Sequence, residues 1–168
     1  SGIKKSRIEA LLKHDISLLA YHLPLDVHRE FGNNVQLAQR LGIEIEGELG
    51  KQNNHPIGLT GTLAQDADFD SLQALIEEKL GRQPLAIEGK SKSIKSVAWC
   101  TGAAQNYIEL AVAAGVDAYI TGEVSEPTVH IARESGIHFF SAGHHATERY
   151  GVQAIGNYLA EKFGLEHQ

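Results

Sequence analysis

"VAWCTGAAQNYIELAVAAGVDAYITGEVSEPTVHIARESGIHFFSAGHHATERYG", residues 97–151, decides the fold. Three short apolar runs, "VAWC", "DAYIT" and "IHFFSA", alternate with two stretches whose apolar residues recur at helical spacing. Pro127 falls in the first turn of the second helical stretch, where a missing N–H costs little. A last helix is expected from about Ala146 to Phe163, with Val152, Ile155, Leu159 and Phe163 as its apolar stripe. The βαβαβ order predicts an α/β fold with a mostly parallel sheet flanked by helices, because parallel strands need crossovers of this length.

Upstream the pattern is less regular. Ile3 to His14 suits an amphipathic helix with a basic end. "ISLLAYHLPLD", residues 16–26, reads as a buried strand, with Pro24 opposing a helix. Asn33 and Asn34 suit the cap of a helix that runs through Leu41 and ends at Gly42. Residues 45–65 read as a long loop around one strand at "PIGLTGTL". Asp70 and Ser71 open a helix to Leu80, punctuated by Gly81. No repeat of solenoid period is present.

The 168 residues suffice for one domain that buries roughly 70% of its unfolded surface. With 42% apolar and 21% charged residues and no low-complexity tract, disorder is not expected. The net charge of −6 comes with scattered Lys and Arg, which argues against nucleic acid or an anionic membrane as partner. Cys100 is the single cysteine, so no internal disulfide can form, and a reducing, cytoplasmic setting is expected. No apolar run approaches the roughly 20 residues that span a bilayer.

In open α/β sheets ligands gather beyond the carboxyl ends of the strands. Four strand exits, "YHLPLD", "CTGAAQ", "ITGE" and "SAGHHATE", carry His22, Asp26, Cys100, Glu123, His144, His145 and Glu148. His144 and Glu148 are spaced i to i+4, which stacks them on one helical face. An imidazole and a carboxylate so placed suit Zn, Mn, Fe, Ni or Co better than Ca or Mg. A plainer alternative makes the histidines turn residues and Glu148 a dipole partner. His130 and Glu134 share the spacing mid-helix, where a solvated pair is the better reading. On an extended strand His22 and Asp26 would stand about 13 Å apart, leaving Asp26 as the ligand and His22 as its neighbour; Asp26 could equally cap a turn. Cys100 has two readings, a nucleophile activated at a helix N-terminus or a small buried apolar side chain. "EGKSKS", residues 88–93, resembles half of a phosphate loop but lacks its first glycine and its strand-to-helix setting.

"YHLPLD" followed by "GNN", then "VAWCTG", "DAYITGEVSE" and "AGHHATERYG", resemble in order the NIF-three-like family, close to its YbgI-type bacterial members, which carry the label GTP cyclohydrolase I type 2 homologue. The resemblance runs from about Ser6 to Gly164. It implies a NIF-three-like α/β fold, a pair of divalent metal ions between two lobes, a homohexameric ring and metal-dependent hydrolysis of a small molecule such as a nucleotide. Residue by residue, it makes Asp26, His144 and Glu148 metal ligands, and places His22, Glu123 and His145 around the cavity in catalytic or substrate-facing roles. The alternative is a ring-forming assembly protein of the same fold without catalysis. The family's adjacent His-His ligand pair is not found before Ser6, and the chain holds no methionine. The first lobe is therefore expected to be truncated, with residues 1–45 as its remnant plus the metal loop and residues 46–168 as the second α/β lobe of one domain. Metal binding by this chain is accordingly expected to be weak or absent.

Overall fold

The computed structural model describes residues 1–52 and 55–168. In chain order the elements are α1 (Ile3–Lys13), α2 (His22–Asp26), α3 (Asn33–Leu41), β1 (Ile43–Gln52), β2 (His55–Ala67), α4 (Phe69–Leu80), β3 (Leu85–Ile87), β4 (Ile94–Cys100), α5 (Ile108–Ala114), β5 (Ala118–Thr121), α6 (Glu126–Ser135), β6 (His138–Ser141) and α7 (His144–Phe163). The six strands form one mixed sheet in the order β1-β2-β4-β5-β6-β3. Its centre is the expected parallel unit, β4 beside β5 beside β6, joined through α5 and α6. Antiparallel pairings extend it on both sides: the β1–β2 hairpin and β2 on β4 at one edge, β3 on β6 at the other.

The central strands are buried on both faces, as crossover helices require. Val97 and Trp99, Ala118 and Ile120, and Phe140 point to one side, where Leu37, Leu41, Leu72, Ile76 and Tyr150 bring in α3, α4 and α7. Ala98, Tyr119 and Phe139 point to the other, against Ile108, Ala111 and Ala132 of α5 and α6. This period-two division of three adjacent strands is what the apolar runs encode.

Five expectations are corrected. Residues 16–26 form no strand: Ile16, Leu18 and Leu19 are exposed, and His22–Asp26 is a helical turn. Pro24 is tolerated because it occupies the third position of α2, where a backbone N–H has no intrahelical partner. Residues 45–65 are mostly hairpin strands rather than loop, with a register shift between Ile45 and Gly47; the part of that stretch at 53 and 54 lies outside the described residues. Asn33 and Asn34 do not cap α3, whose N-cap is Gly32. The helix assigned to Asp70 and Ser71 begins at Phe69, with Asp68 as its cap accepting from the Ser71 N–H at 2.8 Å. On α7 the buried face is Ala146, Thr147, Tyr150 and Gly151, while Val152 and Phe163 are 58% and 62% exposed. Three of these four are small, and at Gly151 the lack of a side chain lets Asn33 of α3 approach closely.

α1 has the expected basic end in Lys13 but buries none of its residues. "EGKSKS" is no phosphate loop: the Lys90 N–H donates to Gly136 O, and the fully buried His138 ring bonds the Gly89 N–H and Ser91 O at 2.9 and 2.8 Å. Among the described residues no helix is long and apolar enough to cross a membrane.

Candidate metal centre

The exits of β4, β5 and β6 lie side by side because their backbones are bonded in series. The Gly143 N–H donates to Gly122 O and the Gly122 N–H to Gly102 O, each at 3.0 Å. Thr147 ties the start of α7 to the first exit, its hydroxyl accepting from the Gly102 N–H at 3.0 Å. Gly102 has φ +71°, and a Cβ there would collide with the Glu148 carboxylate. A side chain at 102 would both strain the turn and displace that acid.

α7 starts at His144, so His144 and Glu148 stand one turn apart, as their spacing predicts. The imidazole lies between two carboxylates: Nδ1 is 2.6 Å from Glu123 Oε1 and Nε2 is 2.9 Å from Glu148 Oε2. The Glu123 hydrogen bond is the main cause of a raised His144 pKa, partly opposed by burial and reinforced by the Glu148 charge. Glu148 is also raised, first by burial and then by repulsion from Asp26, with His144 pulling the other way. Asp26 is raised by burial against the opposing effects of its Asn33 hydrogen bond and the His22 and His144 charges. The group is therefore short of positive charge.

Asp26 reaches α7 through Asn33, a residue whose local preference is for a helix cap. Asn33 Nδ2 donates to Asp26 Oδ1 at 2.7 Å, and Asn33 Oδ1 accepts from the Gly151 N–H at 2.8 Å. Asn34 turns the other way: its Oδ1 accepts from the Thr101 N–H, its Nδ2 donates to Ile57 O, and its carbonyl accepts from Trp99 Nε1. Both asparagines are buried, at 5% and 3% exposure, and are held by these tertiary partners. Since α2 is helical, His22 and Asp26 are one turn apart rather than about 13 Å, and the His22 charge acts on Asp26. The structure thus brings Asp26, Glu123, His144 and Glu148 to one edge, with His22 beside them. His145 is exposed and, among the described residues, makes no hydrogen bond to this group.

The donor chemistry suits an ion of intermediate hardness, one imidazole nitrogen with carboxylate oxygens. The cage is unfinished, however: among the described residues no three His, Cys, Asp or Glu side chains are gathered tightly enough to hold an ion. A cleft of about 300 Å³ opens beside Asp26, with Val27, Val35, Ile45 and Leu59 in its lining; His144 and Glu148 lie outside it.

Of the two readings of Cys100, the structure favours the buried apolar one. The side chain is 6% exposed, its Sγ lies 3.1 Å from Ile57 O, and burial with the Asp26 and Glu148 charges pushes the thiol up to about 12. Native protein is expected to resist alkylation by iodoacetamide at about pH 8 and to react fully once unfolded. Equal rates in both states would restore the nucleophile reading. His130 and Glu134 are exposed, as a solvated pair should be.

The family model for Duf34/NIF3 (NGG1p interacting factor 3) matches residues 1–168. A Pseudomonas aeruginosa protein named GTP cyclohydrolase 1 type 2 homolog is 57% identical over 166 residues, covering 99% of this chain and 66% of the relative. The solved structure of protein ybgI superposes with a TM-score of 0.94 at 47% identity, covering 99% of this chain and 66% of that one. A protein from Thermus thermophilus superposes at 0.81 with 29% identity, covering 100% and 68%. The chain thus spans 66% of the length of the first of these relatives.

Proposed function

Because the chain belongs to the Duf34/NIF3 family across residues 1–168, we propose that it supplies part of a divalent-metal centre in a metal-dependent hydrolase, with Asp26, His144 and Glu148 as ligands. One observation carries this reading: a single imidazole held between Glu123 and Glu148 at 2.6 and 2.9 Å while the Asp26 charge bears on Glu148. Half-buried acids that repel one another are stabilised by a cation among them. Three such ligands suit one ion, and a pair of ions draws on further donors.

Glu123 holds His144 Nδ1, which would leave Nε2, now against Glu148, to serve an ion. Glu148 and Asp26 contribute carboxylate oxygens from α7 and α2. By the resemblance, His22, one turn before Asp26, and His145, exposed at the start of α7, would face the substrate and carry protons. A bound divalent ion would lower the pKa of a water toward about 7 and polarise the group under attack. The name carried by the curated relatives would make the substrate a guanine nucleotide and the reaction hydrolysis of its imidazole ring. The cleft beside Asp26, about 300 Å³, falls at the lower end of the range for small-molecule sites.

Calorimetric titration with Zn²⁺ or Mn²⁺ tests the reading. The chain should bind weakly, because among the described residues no three candidate donors are gathered tightly enough to hold an ion; tight two-site binding would contradict that, and no uptake at any concentration would remove the metal site. A second reading, assembly into a homohexameric ring without catalysis, is favoured by the exposed Ile3, Ile8, Leu12, Leu18 and Leu19. Absence of turnover of GTP and other cyclic amidines with every metal would support it.

A further inference from the structure

We propose that Asn33 is a positioning residue that sets Asp26 for cation binding, by holding one carboxylate oxygen against α7 and leaving the other free. The inference rests on the metal-site reading above. Asn33 is only 5% exposed, so its amide must find partners inside the protein. It has two, and they fix its orientation: an N–H can meet only the amide oxygen, and a carboxylate only the NH₂ group. Gly151, the partner on α7, lies three residues past Glu148. Asp26 is thereby registered to the helix that carries both other ligands. A side chain at 151 would run into Asn33 Oδ1, so the close approach depends on glycine there.

The intervening loop is built to deliver this contact. The Gly32 N–H donates to His28 O at 2.9 Å, and His28 Nδ1 accepts from the Glu30 and Phe31 N–H groups at 3.2 and 3.1 Å. Phe31 stacks on His28 and packs on Tyr158 of α7, with ring centroids 5.3 and 4.9 Å apart. The start of α3 is folded back over Asp26, and a half-buried carboxylate that would otherwise turn toward water is kept beside α7.

Two variants test this. Asn33→Ala removes both bonds; Asn33→Asp keeps an acceptor for Gly151 but opposes a carboxylate to Asp26. Free Mn²⁺, read by electron paramagnetic resonance, measures cation affinity, and a metal-free crystal structure of each variant reads the position of the Asp26 carboxylate. Both variants should remain folded, bind Mn²⁺ about 10–100-fold more weakly and show Asp26 swung away from Gly151. Unchanged Mn²⁺ affinity, tighter binding by Asn33→Asp, or an unmoved Asp26 would overturn the proposal, as would failure of both variants to fold, which would make Asn33 merely structural. If the parent protein takes up no Mn²⁺, the metal-site reading fails, and the Asp26 position in the metal-free variants alone decides the role of Asn33.

Discussion

Trp99→Ala should lower stability by about 3–5 kcal/mol, a large part of the roughly 5–15 kcal/mol that holds a domain together. Trp99 is fully buried in β4, paired with Leu59 of β2 on one side and Ile120 of β5 on the other. Removing the indole empties the middle of the core shared by α3, α4 and α7, and surrounding side chains collapse only in part. It also deprives Asn34 O of the Nε1–H donor at 2.8 Å. Trp99→Phe keeps most of the volume and should cost less, mainly the unpaired carbonyl at about 1–3 kcal/mol. Trp99 is the only tryptophan, so urea unfolding of the alanine variant is followed by circular dichroism rather than fluorescence. A midpoint equal to that of the parent protein would mean that the indole is not central to the core. Because Asn34 anchors the loop leading from Asp26, the alanine variant should also loosen the candidate site.

Glu148→Gln should move two measurements in opposite directions. Burial and Asp26 raise the Glu148 pKa in the folded protein, so the folded state holds this proton more tightly than the unfolded state. The ionised carboxylate therefore costs stability at neutral pH. The cost is fully present above the folded pKa and is relieved as the pH falls through it toward the unfolded value. Glutamine removes the charge at nearly constant shape, and the metal-free variant should melt a few degrees higher, the scale on which about 1 kcal/mol moves the midpoint of a domain this size. The same change removes a proposed ligand, so Mn²⁺ affinity should fall by more than the roughly 10–100-fold typical of losing an outer hydrogen-bond partner. A lower melting point with unchanged Mn²⁺ affinity would reverse both expectations. If the proposed site holds an ion, protons would compete with it at His144, Glu148 and Asp26, all raised. Affinity should therefore decline with falling pH from above the ordinary carboxylate range.

The parallel centre of the sheet was legible because β4, β5 and β6 are buried on both faces and read as apolar runs separated by helical spacing. The pairing of His144 with Glu148 was equally legible, since it needs only one helical turn. Harder to read were features fixed by tertiary contact. The helix at His22–Asp26 contains Pro24 in a position that merely looks forbidden, and its apolar neighbours Leu18, Leu19 and Leu23 are exposed rather than core. β1 hides three glutamates and two glycines in an edge strand, a composition that argues for a loop. Asn33 and Asn34 suit a cap by local preference, yet their side chains are drawn to partners 7 to 118 positions away. No local rule reports such partners. Glu123 meets His144 only through the adjacency of the β5 and β6 exits, which the strand order supplies.

The most direct test is anomalous scattering from a crystal soaked in Zn²⁺ or Mn²⁺, recorded on both sides of the absorption edge. A peak about 2.0–2.2 Å from His144 Nε2 and a Glu148 oxygen, with Asp26 turned toward it, is the result that three ligands on α2 and α7 require. A map with no peak between these side chains, or with the ion bound elsewhere on the chain, would contradict it.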